Sequence, residues 1–367
     1  MLPLYRVVQY TPTYYPTYSR IPYSEADAAA SRSNRSAKTG SGSSDEEVTS
    51  HGCTPLDDED TYSHALVSIV RDCHWISQGT EYPCVRVARL CLSIGLIVLT
   101  IGVQVALLWE VKRLVSALAV SSIRGVYSDF EQKMYNVTKL VHGDYRGVSG
   151  FRPEKFSTFS SDDKEVVCQI PLAHPFYLML VLFIWGLTTL TEIRRSCTLA
   201  IRFLINTPLV DSFYNDVEPL EDNPVALVVK GVTLPIKLAV VLLVILPRMV
   251  MALTLLWLGS RWLVAVPDLA ELLLNAIALE FVLLLKDLIY NVVVPHRSKV
   301  DIQQTYFEPL ARREHISCIN MSGTLVNIFV AIGWACLYPL QFQQVLFGYN
   351  FDVREVCADW LARLSSV

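Results

Sequence analysis

The chain has 367 residues, of which 52% are hydrophobic and only 18% charged, against about 25% charged in soluble domains. Mean hydropathy is +0.36 and formal net charge −4. This balance argues against an ordinary soluble domain and leaves no electrostatic footprint for nucleic acid.

Residues 1–60 mix Tyr with Pro ("YRVVQYTPTYYPTYSRIPY"), then run through "SRSNRSAKTGSGSSDEE" to "DDED". Such composition buries too little apolar surface to offset the entropy of ordering, and it predicts a disordered cytoplasmic tail that is free to bind cytoplasmic partners. Tyr5-Arg6-Val7-Val8 fits a tyrosine-based sorting pattern. The opening residues have neither the apolar core nor the cleavage site of a signal peptide, so the first span is expected to direct insertion. Residues 61–89 read as a juxtamembrane segment.

Spans are expected at 90–109, 170–191, 238–260 and 321–341, each near the roughly 20 residues that cross the hydrocarbon. A fifth, 267–288, is apolar enough to span but carries Asp268, Glu271, Glu280, Lys286 and Asp287. The fold class is therefore all-α: a polytopic helical membrane protein of about five spans. Basic residues fill the 192–237 and 289–320 loops, which places both in the cytoplasm with the N-terminus, and the 342–367 tail outside. The destination is a plasma membrane or endomembrane. Trp109, Trp257 and Trp262 are expected at the outer boundary as an aromatic belt.

The 110–169 loop falls outside in this topology. Val111, Val115, Leu118, Ile123, Val126, Phe130, Met134, Val137 and Val141 recur at mostly three- and four-residue steps and predict an amphipathic helix continuing from the first span. Asn136-Val137-Thr138 is a glycosylation sequon there; Asn34 and Asn320 head matching triplets on the inner side or at the membrane edge. Of nine cysteines, only Cys168 and Cys357 lie outside. They either bridge the loop to the tail or remain free thiols. No cysteine or histidine spacing fits a metal site, and no cofactor or catalytic motif appears.

Glu280 requires an account, since a lone charge at mid-bilayer costs about 2.5–3.5 kcal/mol or more. With the preceding turn centred near residue 264, Arg248 lies 16 residues before it and Glu280 16 after. Equal rises then set the two side by side as an intramembrane charge pair. Pro247 would free carbonyls as further partners. Asp268, Glu271, Asn275, Asp287 and Asn291 form secondary polar stripes on the same helix. Two functions stay open: a channel-like homo-oligomer moving a small ion or proton past Arg248 and Glu280, or a non-conducting scaffold or receptor using the tail and outer loop.

The stretches "CQIPLAHPFYLMLVLFIWGLTTLTEIRR", "DFEQKMYN" and "LPRMVMALTLLWLGSRWLVAVPDLAELLLNAIALEFVLLLKDLIYNVVVP" resemble segments of a large group of uncharacterised multi-pass membrane proteins of dinoflagellate algae. The resemblance covers roughly residues 120–300. It implies a polytopic architecture and no particular mechanism.

Overall fold

Proline opens the long helices. Pro83 and Pro175 each stand in the first turn, where a missing N–H leaves no bond unmade and the fixed φ suits the turn. The computed structural model describes residues 54–55, 59–79, 82–211, 217–220, 223–307, 318–346 and 348–364. The Tyr5 pattern, the Asn34 sequon and the side chain of Asn320 lie outside the described residues.

The protein is an all-α polytopic helical protein. Among the described residues, four helical stretches are long and apolar enough to cross a bilayer: Pro83–Met134, Pro175–Asn206, Leu234–Ala265 and Leu325–Phe342. Short helix α1, Thr61–Ser77, precedes them. The first stretch comprises α2 (Pro83–Glu110), a π-helical turn at Val111–Ser116, and α3 (Ala117–Met134). Its 52 residues extend roughly 80 Å, far beyond about 30 Å of hydrocarbon, so α3 stands clear of any membrane that α2 crosses. The helix continues as expected to Met134, but the expected face is buried only in its second half, since Val115 and Leu118 are exposed. Ile123, Phe130 and Met134 are buried, but Val137 and Val141 belong to a strand, β2 (Val137–Val141). That strand pairs with β3 (Asp144–Ser149) in a hairpin turning at Gly143, whose φ of +92° suits glycine.

Then come α4 (Ser161–Cys168) and α5 (Pro175–Ala200). Next are α6 (Leu234–Val240), a π-helical turn at Val241–Ile245, and α7 (Leu246–Ala265). The wider π turn stands where the ring of Pro247 would otherwise meet the carbonyl four residues back. Helix α8 (Leu269–Val293) packs against α1, α2, α5 and α7, with its charges inside or along its length. The chain closes with α9 (His296–Gln303), α10 (Cys318–Leu337) and α11 (Asp352–Leu364).

Two apolar cores result. One joins α3, α4 and α11 to the adjoining ends of α5, α7 and α8. A disulfide, Cys168 to Cys357, ties α4 to α11 here with Cα atoms 5.4 Å apart. Asp352 accepts from Tyr127 at 3.1 Å and Tyr135 at 3.0 Å, and Arg146 meets the buried Glu131 at 3.2 Å. The second core gathers α1, α6 and the far ends of α2, α5 and α8. Beside it lies a four-stranded sheet ordered β1-β6-β5-β4, with β1 Thr54–Pro55, β4 Val217–Leu220, β5 Asn223–Val229 and β6 Thr305–Phe307. Within it β5 runs parallel to β6. The segments expected as plain loops at 192–237 and 289–320 thus supply strands as well as helical ends.

Candidate functional site: a buried charge cluster

Three helices bring a charge to one level. Glu192 lies 17 residues after Pro175, Arg248 17 before Ala265, and Lys286 17 after Leu269. At 1.5 Å per residue each is roughly 25 Å from the end of its helix nearest the disulfide. The fourth member, Asp60, arrives from α1. It caps that helix, its carboxylate accepting from the Ser63 N–H at 2.8 Å, as Asp does where first-turn N–H groups lack partners.

Asp60 Oδ2 sits 3.1 Å from Arg248 Nη2 and 3.2 Å from Lys286 Nζ. Glu192 bridges the same two cations from the other side, Oε1 at 3.2 Å from Lys286 and Oε2 at 3.5 Å from Arg248. Arg195 reaches Glu192 Oε1 at 3.2 Å, and Asp287 stands 3.4 Å from Lys286. The side chains of Arg248, Asp60 and Lys286 are 2%, 3% and 4% exposed, so this is a dry cluster whose members depend on one another. Burial pushes the Asp60 carboxyl up, but Arg248, Lys286 and the Ser63 N–H outweigh it and hold the carboxyl below its ordinary value.

Neighbours fix the geometry. The Arg248 guanidinium lies over the Tyr62 ring at 5.6 Å. Tyr62 donates to Gln104 Oε1 at 3.2 Å, and Gln104 in turn donates to the Val282 carbonyl at 3.1 Å. Thr61 donates to the Lys286 carbonyl at 3.0 Å. Farther along α1, Asp72 is gripped by Arg86 at 3.3 Å and Arg89 at 3.2 Å. Asp301 takes Arg89 at 2.8 Å and Arg71 at 3.4 Å. Helix α1 is thereby pinned at both ends.

The expected Arg248–Glu280 pair does not form. Glu280 is exposed on α8, 11 residues after Leu269, roughly 9 Å short of the level of Arg248. The error lies in the turn. Helix α7 ends at Ala265 and α8 begins at Leu269, which centres the hairpin at 267 and makes Lys286 the residue level with Arg248. Nor are the polar stripes a single site. Asp287 joins the cluster, whereas Asn291 accepts from Lys299 at 3.3 Å. Glu271 is exposed and Asp268 and Asn275 are half-buried nearer the disulfide end. Trp109 and Trp257 are exposed, but Trp262 is buried, so it cannot serve in an interfacial belt. Asn136 is exposed at the foot of the hairpin.

Asp60 and Glu192 were not anticipated. The composition of residues 1–60 places Asp60 in a disordered tail, and Glu192 lies one residue past the expected 170–191 span. Both carried a signal. Asp60 precedes "TYSHALVSIV", an N-cap residue ahead of an apolar helix. Pro175 marks a later start for α5 than residue 170, which draws Glu192 inside the bundle. Among the described residues, no group of three His, Cys, Asp or Glu is placed to hold a metal ion. Comparison of the chain with protein-family models, curated proteins and solved structures returns no match.

Proposed function

We propose that the protein is a non-conducting, receptor-like or scaffolding membrane protein whose charge cluster couples the segment leading into α1 to the membrane bundle. One observation carries this reading: Asp60 is held between Arg248 and Lys286. Any pull on the chain ahead of α1 therefore acts directly on α7 and α8, and through Glu192 on α5. The cluster is also balanced, with Arg195, Arg248 and Lys286 facing Asp60, Glu192 and Asp287. At the opposite end the disulfide-tied head of α3, the β2–β3 hairpin, α4 and α11 offers a separate surface for a ligand or partner.

Reconstitution of the full chain in liposomes tests the reading. No protein-dependent proton or potassium flux is expected, and Asp60→Asn is expected to open residues 59–79 to limited proteolysis. Flux from the folded wild type, or a protease pattern unchanged by Asp60→Asn, would overturn it.

A second reading, ion movement between copies of the chain, is favoured by Glu280. Its carboxylate is exposed beside Leu273, Ile277, Phe281 and Leu284, all exposed as well. An acid on an apolar helix face at membrane depth costs several kcal/mol unless it meets water or a partner. Flux abolished by Glu280→Gln would put this reading first.

A further inference from the structure

A cavity of about 340 Å³ opens between α2 and the junction of α8 with α9, at the end of the bundle away from the disulfide. Its floor is polar. His64 and Ser93 are 6% and 2% exposed and lie within hydrogen-bonding distance of each other at 3.2 Å; Arg89 completes the floor. Its walls are apolar, from Leu92, Leu96, Leu99 and Val293.

Two features identify what would fill it. The first is the direction of the mouth. Leu92, Leu99 and Val293 are 75%, 56% and 55% exposed, and Leu92 and Leu99 lie in the first candidate span. In a bilayer the cavity therefore opens sideways into hydrocarbon, and its occupant enters from the lipid phase. The second feature is charge. Arg89 on the floor belongs to a network in which Arg71, Arg86 and Arg89 face Asp72 and Asp301, so the network beside the cavity carries one positive charge in excess. The first turn of α9, with Ser298 on the cavity wall, directs its positive dipole end to the same place.

We propose that this cavity is a binding site for one anionic phospholipid, with an acyl chain along Leu92, Leu96 and Leu99 and the phosphate beside Arg89. Basic pockets between membrane helices hold such headgroups, and the volume is within the range of small-molecule sites. The inference is independent of whether the bundle conducts.

Gly95 supplies the test. It lines the cavity, and a Cβ added there would meet nothing within 4 Å. Gly95→Phe therefore fills the chain slot without disturbing the arginine network, and Gly95→Ala controls for the change in helix propensity. Full-length protein in nanodiscs of phosphatidylcholine containing phosphatidylglycerol would be released into detergent and weighed by native mass spectrometry. Wild type and Gly95→Ala are expected to retain one phosphatidylglycerol, and Gly95→Phe at least about tenfold less, a difference of about 1.4 kcal/mol. Inorganic phosphate should not displace the lipid. Equal retention by Gly95→Phe, equal retention of phosphatidylcholine, or displacement by phosphate alone would each overturn the proposal. The last would leave a plain anion site.

Discussion

Arg248 and Lys286 stand at one level on adjacent helices, and a single oxygen, Asp60 Oδ2, lies within 3.2 Å of both. Two cations so placed repel, and no apolar surroundings relieve them. The carboxylate between them is therefore structural: with Asp60 gone, Glu192 alone is left to bridge the two cations of the α7–α8 pair. Removing one member of a buried ion pair costs about 3–5 kcal/mol. Asp60→Asn is expected to lower stability by about that amount in detergent unfolding, whereas Asp60→Asn combined with Lys286→Met should recover part of the loss. No recovery in the double variant would mean that Lys286 is answered by Glu192 alone.

Glu280 gives the contrasting expectation. Arg248 and Glu280 are separated in depth, one buried and the other exposed, so a double-mutant cycle of Arg248→Met with Glu280→Gln should show coupling below about 0.5 kcal/mol. The same cycle with Glu192→Gln in place of Glu280→Gln should give between about 0.5 and 3 kcal/mol, as residues in one ion-pair network do. Reversal of that order would restore Glu280 as the partner of Arg248.

These two residues also show what the sequence made legible. Uncharged runs such as "LCLSIGLIVLTIGVQVALLW" declare spanning helices because length and apolarity are one-dimensional properties. Partners across helices are different. Arg248 could be matched with Glu280 only by assuming a turn centre, and an error of three residues there displaces the expected partner by six, from 286 to 280. Asp60 was harder still. It is separated from Lys286 by 226 residues, and its acidic neighbours Asp57, Asp58 and Glu59 make it look like part of a solvated tail. Only its place as an N-cap sets it apart. The four-stranded sheet was hidden for a related reason. Its strands have two to seven residues, too short for an alternating pattern to stand out.

Acid should destabilise the α1 end of the molecule. Burial, and then the charge of Arg89, push His64 down from 6.5 to about 4. Between those values the unfolded chain binds a proton that the folded chain excludes, so stability rises with pH across the window and falls on acidification. The full effect is about 3 kcal/mol, from about 1.4 kcal/mol per pH unit. His64→Asn should flatten stability between pH 6.5 and 4. Asp352 acts with the opposite sign. Burial raises its carboxyl against the pull of the Tyr135 and Tyr127 hydroxyls, so its contribution is present in acid and lost as pH rises through the folded value. A wild-type profile as flat as that of His64→Asn would show that His64 takes up its proton without leaving the folded state.

The disulfide makes a local prediction at the other end. Cys168 and Cys357 are separated by 189 residues, and the bridge joins α4 to α11 over a core that includes Val167, Val356 and Leu172. Cross-links of long loops contribute about 2–4 kcal/mol, chiefly by restricting the unfolded chain. Reduction, or Cys357→Ser, should therefore lower the stability of the head by about that amount and speed proteolysis within α11. The charge cluster lies roughly 25 Å away along the bundle, so the response of residues 59–79 to protease should not change. If reduction instead exposed α1, the two ends of the bundle would be coupled, and a signal could pass from the head to the segment that Asp60 holds.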